Sequence, residues 1–163
     1  MLACVDVDYR GEAAVAAAIL FLDWGSPHAL AEHVVRVERV APYRPGAFYE
    51  RELPCILAVL ARNHWPLAAV VVDGYVWLGE QPGLGAHLFA ALAEAVPVIG
   101  VAKNPFHESS AIEVRRGDSK KPLYVSAAGM SPAEAARCVQ RMHGEHRLPT
   151  LLKAVDRLCR EGA

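Results

Sequence analysis

No stretch of this chain stays apolar for the roughly 18 residues that a membrane-spanning helix requires. The longest run, AAVAAAILFL at 13–22, is bounded by Glu12 and Asp23 and reads as a central strand. Cys4, Cys55, Cys138 and Cys159 stand far apart in apolar settings, with no CxxC or CxxH spacing. Buried free thiols and a reducing, cytoplasmic setting are therefore expected. The seven histidines form no HExxH or other paired spacing, so zinc is not suggested. The N-terminus carries Asp6 and Asp8 with no basic segment ahead of them. No signal peptide is expected, and the fold should begin almost at residue 1. Linkers, internal repeats and low-complexity tracts are also missing. Charge is close to balanced, with 17 Lys and Arg against 18 Asp and Glu. That excludes a uniformly basic chain, although two local clusters remain: Arg36, Arg39 and Arg44, then Arg115, Arg116, Lys120 and Lys121. These read either as solvated surface or as contacts to phosphate.

What the chain does have is apolar content, 53% of 163 residues, enough for one well-filled domain over 1–163. Three acids stand at the ends of predicted elements: Asp6 in ACVDVDYR, Glu52 in PYRPGAFYERELP and Asp73 in AAVVVDGYVWLG. A carboxylate at the mouth of a buried strand is costly to ionise alone. Several such acids gathered by the fold suit a hard divalent cation with oxygen ligands, Mg²⁺ or Mn²⁺. In a compact α/β domain such a cation most often handles phosphate.

Alternation and turn residues predict three strands in a meander over the first forty residues, the third interleaving Val35, Val37 and Val40 with Arg36 and Arg39. PYRPG at 42–46 then breaks the chain rigidly. YERELPCILAVLARN is a predicted helix with an apolar face of Leu53, Ile56, Leu57 and Leu60. LAAVVVDG follows as a buried strand, GLGAHLFAALAEA as a short helix and VPVIGVAK as a further strand. A hairpin is expected around Gly117–Asp118. Ser131, Pro132 and Glu134 mark a capped helix start, and a last helix covers TLLKAVDRLCRE. Trp65 and Trp77 are expected to pack rather than to serve as base platforms. This order resembles the ribonuclease-H-like fold, an α/β arrangement in which helices flank a mixed sheet.

Six segments in order carry a resemblance to the endonuclease V family: CVDVDY, PYRPGAFYERELP, VVVDGY, VIGVAK, PLYVSAAG and the RLP preceding Asp156. The resemblance implies metal ligands at Asp6, Glu52 and Asp73, with a fourth at Asp156, and an active-site lysine at Lys103. It implies a metal-dependent endonuclease that cuts one nucleotide 3′ of inosine in DNA or RNA, and a monomer is expected. The stiff loop would offer Tyr43 as a wedge beside the extruded base. Gly46 and Gly74 would let backbone approach that base, and His87 matches a family histidine. One family element, His-Pro-Arg after the Asp-Gly, has no counterpart in YVWLGEQPGLGAHL. Two other readings therefore stay open: a catalytically impaired nucleic-acid-binding relative, or a ribonuclease-H-like nuclease without base specificity.

Overall fold

The protein is described by a computed structural model covering residues 1–162. In chain order the elements are β1 (Leu2–Arg10), β2 (Ala13–Phe21), β3 (Ala31–Val37), α1 (Tyr49–Leu60), β4 (Ala69–Asp73), β5 (Trp77–Leu78), β6 (Gln81–Pro82), α2 (Leu84–Ala91), β7 (Val98–Ala102), β8 (Ile112–Val114), β9 (Leu123–Ala128), α3 (Pro132–Arg141) and α4 (Thr150–Glu161). Seven strands form one sheet in the order β3-β2-β1-β4-β7-β9-β8, and β5 pairs only with β6. The pairs β1–β4 and β4–β7 are parallel and the rest antiparallel. This is the mixed sheet of the ribonuclease-H-like fold, with the expected meander at one side.

Alternation along each strand sends side chains to two separate cores. Ala3, Val5, Ala14, Ala16, Val70 and Val72 face α1 and α2. Leu2, Cys4, Val15, Val71 and Val125 face α3 and α4. All nine residues of β2 are buried because α1 covers one face and α4 the other. The expectation of a central strand there is corrected in position, since β2 lies second from the edge. Helical cover, not place in the sheet, removes it from water.

The buried stripe of α1 is Glu52, Cys55, Ile56, Val59 and Leu60. That face is rotated from the expected one; Leu53 and Leu57 pack only at its margin. The rotation carries Glu52 into the interior. Pro54 removes one helical hydrogen bond, but the helix persists because its apolar face is buried. At the start of α3 the Glu134 amide donates to Ser131 Oγ at 3.1 Å, the predicted cap.

Arg116 corrects the sequence reading most. It belongs to neither a solvated cluster nor a phosphate contact, being only 3% exposed. Its guanidinium donates to the carbonyls of Met142, Gly144 (3.2 Å), His146 (3.0 Å) and Arg147 (3.3 Å). One planar fork thereby holds the loop that leads into α4. Arg116→Ala should cost about 2–4 kcal/mol, since four carbonyls lose a charged donor. Lysine should not rescue it, lacking the fork. Chemical denaturation of the three proteins checks this; a lysine variant as stable as the parent would contradict it.

The two tryptophans expected to pack are only partly covered. Trp65 is 47% and Trp77 39% exposed. The Trp77 indole donates to the Ala127 carbonyl at 3.2 Å, which hooks the β5–β6 hairpin onto β9. All four thiols are free, with Cys4, Cys55 and Cys159 buried. Among the described residues no helix is long and apolar enough to cross a membrane.

Candidate active site

The parallel register of β1 and β4 pairs Val5 with Val72, so the next residues, Asp6 and Asp73, stand side by side. Strand β4 ends at Asp73, while β1 runs on to Arg10 paired with β2 alone. The sheet therefore splits just past the two aspartates. Through this split Glu52 reaches them from α1, and Asp6, Tyr9, Phe48, Glu52 and Asp73 line one cavity. A second cavity opens from the same two aspartates toward α4 and is lined by Lys103, Leu148, Leu152, Lys153 and Asp156. Asp156 is brought there because Leu151, Val155 and Cys159 bury the adjacent stripe of α4.

Burial sets the electrostatics. Glu52, 7% exposed, has its carboxyl pushed up to about 8, by desolvation first and then by the charges of Asp6 and Asp73. Asp6 is raised to about 6, again mainly by burial. The Val7 amide, 2.8 Å from Asp6 Oδ1, works against that shift. Asp73 and Asp156 reinforce it. Lys103, at the end of β7, donates to Asp73 Oδ2 at 2.9 Å. Burial disfavours its charge, but the bond to Asp73 and the nearby Asp6 and Asp156 raise its pKa on balance. Asp156 also pairs with Arg160 at 2.9 Å.

An all-carboxylate donor set with two acids held toward protonation suits a hard divalent cation, whose charge would relieve the repulsion. As the side chains stand, no group of three His, Cys, Asp or Glu among the described residues closes tightly enough to hold a metal ion. The Lys103 ammonium stands against Asp73.

A third cavity adjoins Asp73 and brings together Gly46, Gly74, Phe48, Tyr49 and Tyr75. Gly46 and Gly74 both have positive φ, +78° and +119°, and an added Cβ would meet nothing within 4 Å at either. The chain leaving Gly74 folds back closely over β7. A Cβ on Gly100 would lie 2.5 Å from the Gly74 carbonyl, so glycine is needed there. The buried Ser126 hydroxyl secures the same turn by accepting from Val76 N at 2.9 Å. His87 does not line this cavity; its ring stacks on Tyr49, centroids 3.6 Å apart. Tyr43 is 62% exposed and lines a separate groove with Arg39 and Arg51. The β5–β6 hairpin occupies the stretch where the His-Pro-Arg element is missing.

Sequence reasoning missed Tyr9 and Lys153. The Tyr9 ring lies under Arg51, 4.2 Å from its Cζ, with Phe48 at its edge. Its buried hydroxyl has no hydrogen-bond partner among the described residues. Strand alternation puts Tyr9 on the α1 face with Val5 and Val7, a signal readable once Glu52 is known to face inward. Lys153 carries no such signal, because a lysine on an amphipathic helix is ordinarily solvated.

Comparison with known proteins gives a consistent outcome. A family model described as Endonuclease V matches residues 1–119. The Endonuclease V of Streptomyces coelicolor is 34% identical over 180 residues, covering 96% of this chain and 76% of that protein. The crystal structure of Endonuclease V from Streptomyces avermitilis superimposes with a TM-score of 0.78 at 28% identity, covering 98% of this chain and 79% of that one. Ciona intestinalis Endonuclease V, solved in complex with a 24mer DNA containing an inosine followed by a ribo-adenosine, shares the fold. Its TM-score is 0.78 at 19% identity, covering 98% and 84% of the two chains.

Proposed function

The chain belongs to the endonuclease V family, and on that footing we propose that it is a metal-dependent endonuclease acting at inosine in DNA or RNA. It cuts the phosphodiester one nucleotide 3′ of the inosine and leaves 3′-hydroxyl and 5′-phosphate ends. The observation that carries this reading is the meeting of Asp6, Asp73 and Glu52 at the split in the sheet, next to the glycine-lined cavity. Mg²⁺ or Mn²⁺ held by these three acids, with Asp156 alongside, would supply charge for polarising the phosphate, activating water and neutralising the leaving oxygen. Lys103, kept cationic by Asp73, orients the scissile phosphate. The open faces of Gly46 and Gly74 let backbone groups approach the extruded base. Tyr49 and Tyr75 wall it, and His87 steadies Tyr49 from behind.

One observation favours a second reading. The β5–β6 hairpin stands where a family element is missing, so the same cavities would hold inosine-containing strands without turnover. Incubating purified protein and Mg²⁺ with labelled inosine-containing and matched control strands separates these readings. Cutting only the inosine strand supports the enzyme. Binding without cutting supports the second reading, and equal cutting of both strands supports a nuclease without base specificity.

Tyr43→Ala should weaken binding to inosine-containing strands about tenfold, the worth of one lost stacking contact. Its melting temperature should barely move, because the ring is 62% exposed. Tyr43→Phe should bind nearly normally. A steep fall in melting temperature with unchanged affinity per folded molecule would make Tyr43 a packing residue.

A further inference from the structure

We propose that the basic groove at the start of α4 carries the sugar–phosphate backbone of the substrate strand on the 3′ side of the cut, an inference that rests on the reading above. The cavities adjoin one another in series. The glycine-lined cavity shares Phe48 and Asp73 with the Glu52 cavity, which shares Asp6 and Asp73 with the Lys103 cavity. The Lys103 cavity in turn shares Leu148 and Lys153 with a wide groove that also includes His143, His146 and Arg157. With the base at one end and the acids in the middle, a strand cut 3′ of that base continues toward the groove.

Charge favours phosphate as the occupant. Lys153 and Arg157 are exposed, and neither has an ion-pair partner among the described residues. They stand one helical turn apart, about 6 Å along the axis, and can follow successive phosphates. His143 is held by Thr150, Nδ1 to Oγ1 3.0 Å. Thr150 opens α4, whose positive pole therefore lies at the groove. The opposing charge lining it is Glu145, while Asp156 is engaged with Arg160. The carbonyls of Met142, Gly144, His146 and Arg147 are drawn to the buried Arg116. Their negative ends are thus turned inward, and the loop forming the groove wall is fixed before any strand arrives.

The test is a binding titration without added divalent metal, using the whole chain and two single-stranded DNAs, each prepared with one deoxyinosine and in a deoxyguanosine-matched version. One ends just past the cut position and the other runs about six nucleotides further 3′. The parent protein should bind the longer strand about tenfold or more tightly. Lys153→Ala/Arg157→Ala should lose that advantage, and its salt slope on the longer strand should fall by about 1.4. Equal affinity of the parent for both strands would overturn the inference, as would the same loss by the variant on both. Should the variant not fold, the parent's length comparison decides. A parent that gains from the 3′ extension yet ignores inosine would contradict the base reading while leaving the groove in place.

Discussion

Asp6→Asn is expected to reduce cleavage of an inosine-containing strand by about a hundredfold or more while leaving metal-free protein at least as stable as the parent. The two halves have one cause. Asp6 is held at about 6 by burial and by the charges of Asp73 and Asp156, so near neutral pH its ionised form is a source of strain. Asparagine keeps the shape and removes the charge, a gain on the order of 1–2 kcal/mol. Glu52→Gln should behave likewise, with the larger stability gain, since that carboxyl is displaced further, to about 8. Cleavage and melting temperature measured on the same preparations check both halves. Parental activity in either variant would remove these acids from the chemistry, and a large loss of stability would show that they serve the fold.

The second large effect is a fall in the stability of metal-free protein as pH rises. Asp6 and Glu52 both have folded-state pKa values above their ordinary ones, so between about pH 4 and 8 the folded state binds more protons than the unfolded state. Their contribution is present in full below about pH 4 and is lost as pH climbs through about 6 and then about 8. The shifted thiols, tyrosines and Lys103 titrate above this window. Melting temperature in chelator should therefore decline from about pH 5 to 8.5, with Mg²⁺ restoring much of the loss at the upper end by favouring the ionised acids. A melting temperature that rises over this range, or one that Mg²⁺ does not move, would be incompatible with a cation site built from these carboxylates.

Asp73 was legible from sequence because it ends an apolar strand that has no other use for a carboxylate. Asp6, expected at a strand end, lies in the middle of β1, and only the apolar run ahead of it marked it out. Their adjacency follows from the β1–β4 register, which no local pattern encodes. Glu52 was legible as an acid at a predicted helix start; its burial was not, because Leu53 and Leu57 suggest a helix face that tertiary packing turns aside. Asp156 has no sequence signal beyond the preceding RLP, since its position depends on how α4 docks. Arg116 was hidden in a basic run, where nothing tells the buried arginine from its exposed neighbour Arg115. The β5–β6 hairpin escaped notice because strands of two residues are too short to show alternation.

The most direct measurement is product analysis of an end-labelled strand with a single inosine, incubated with the protein in Mg²⁺ beside a guanosine-matched strand and a chelator control. The account predicts one cut, one nucleotide 3′ of the inosine, absent from both controls. Cutting of the guanosine strand to the same extent, or cutting that persists in chelator, would contradict it.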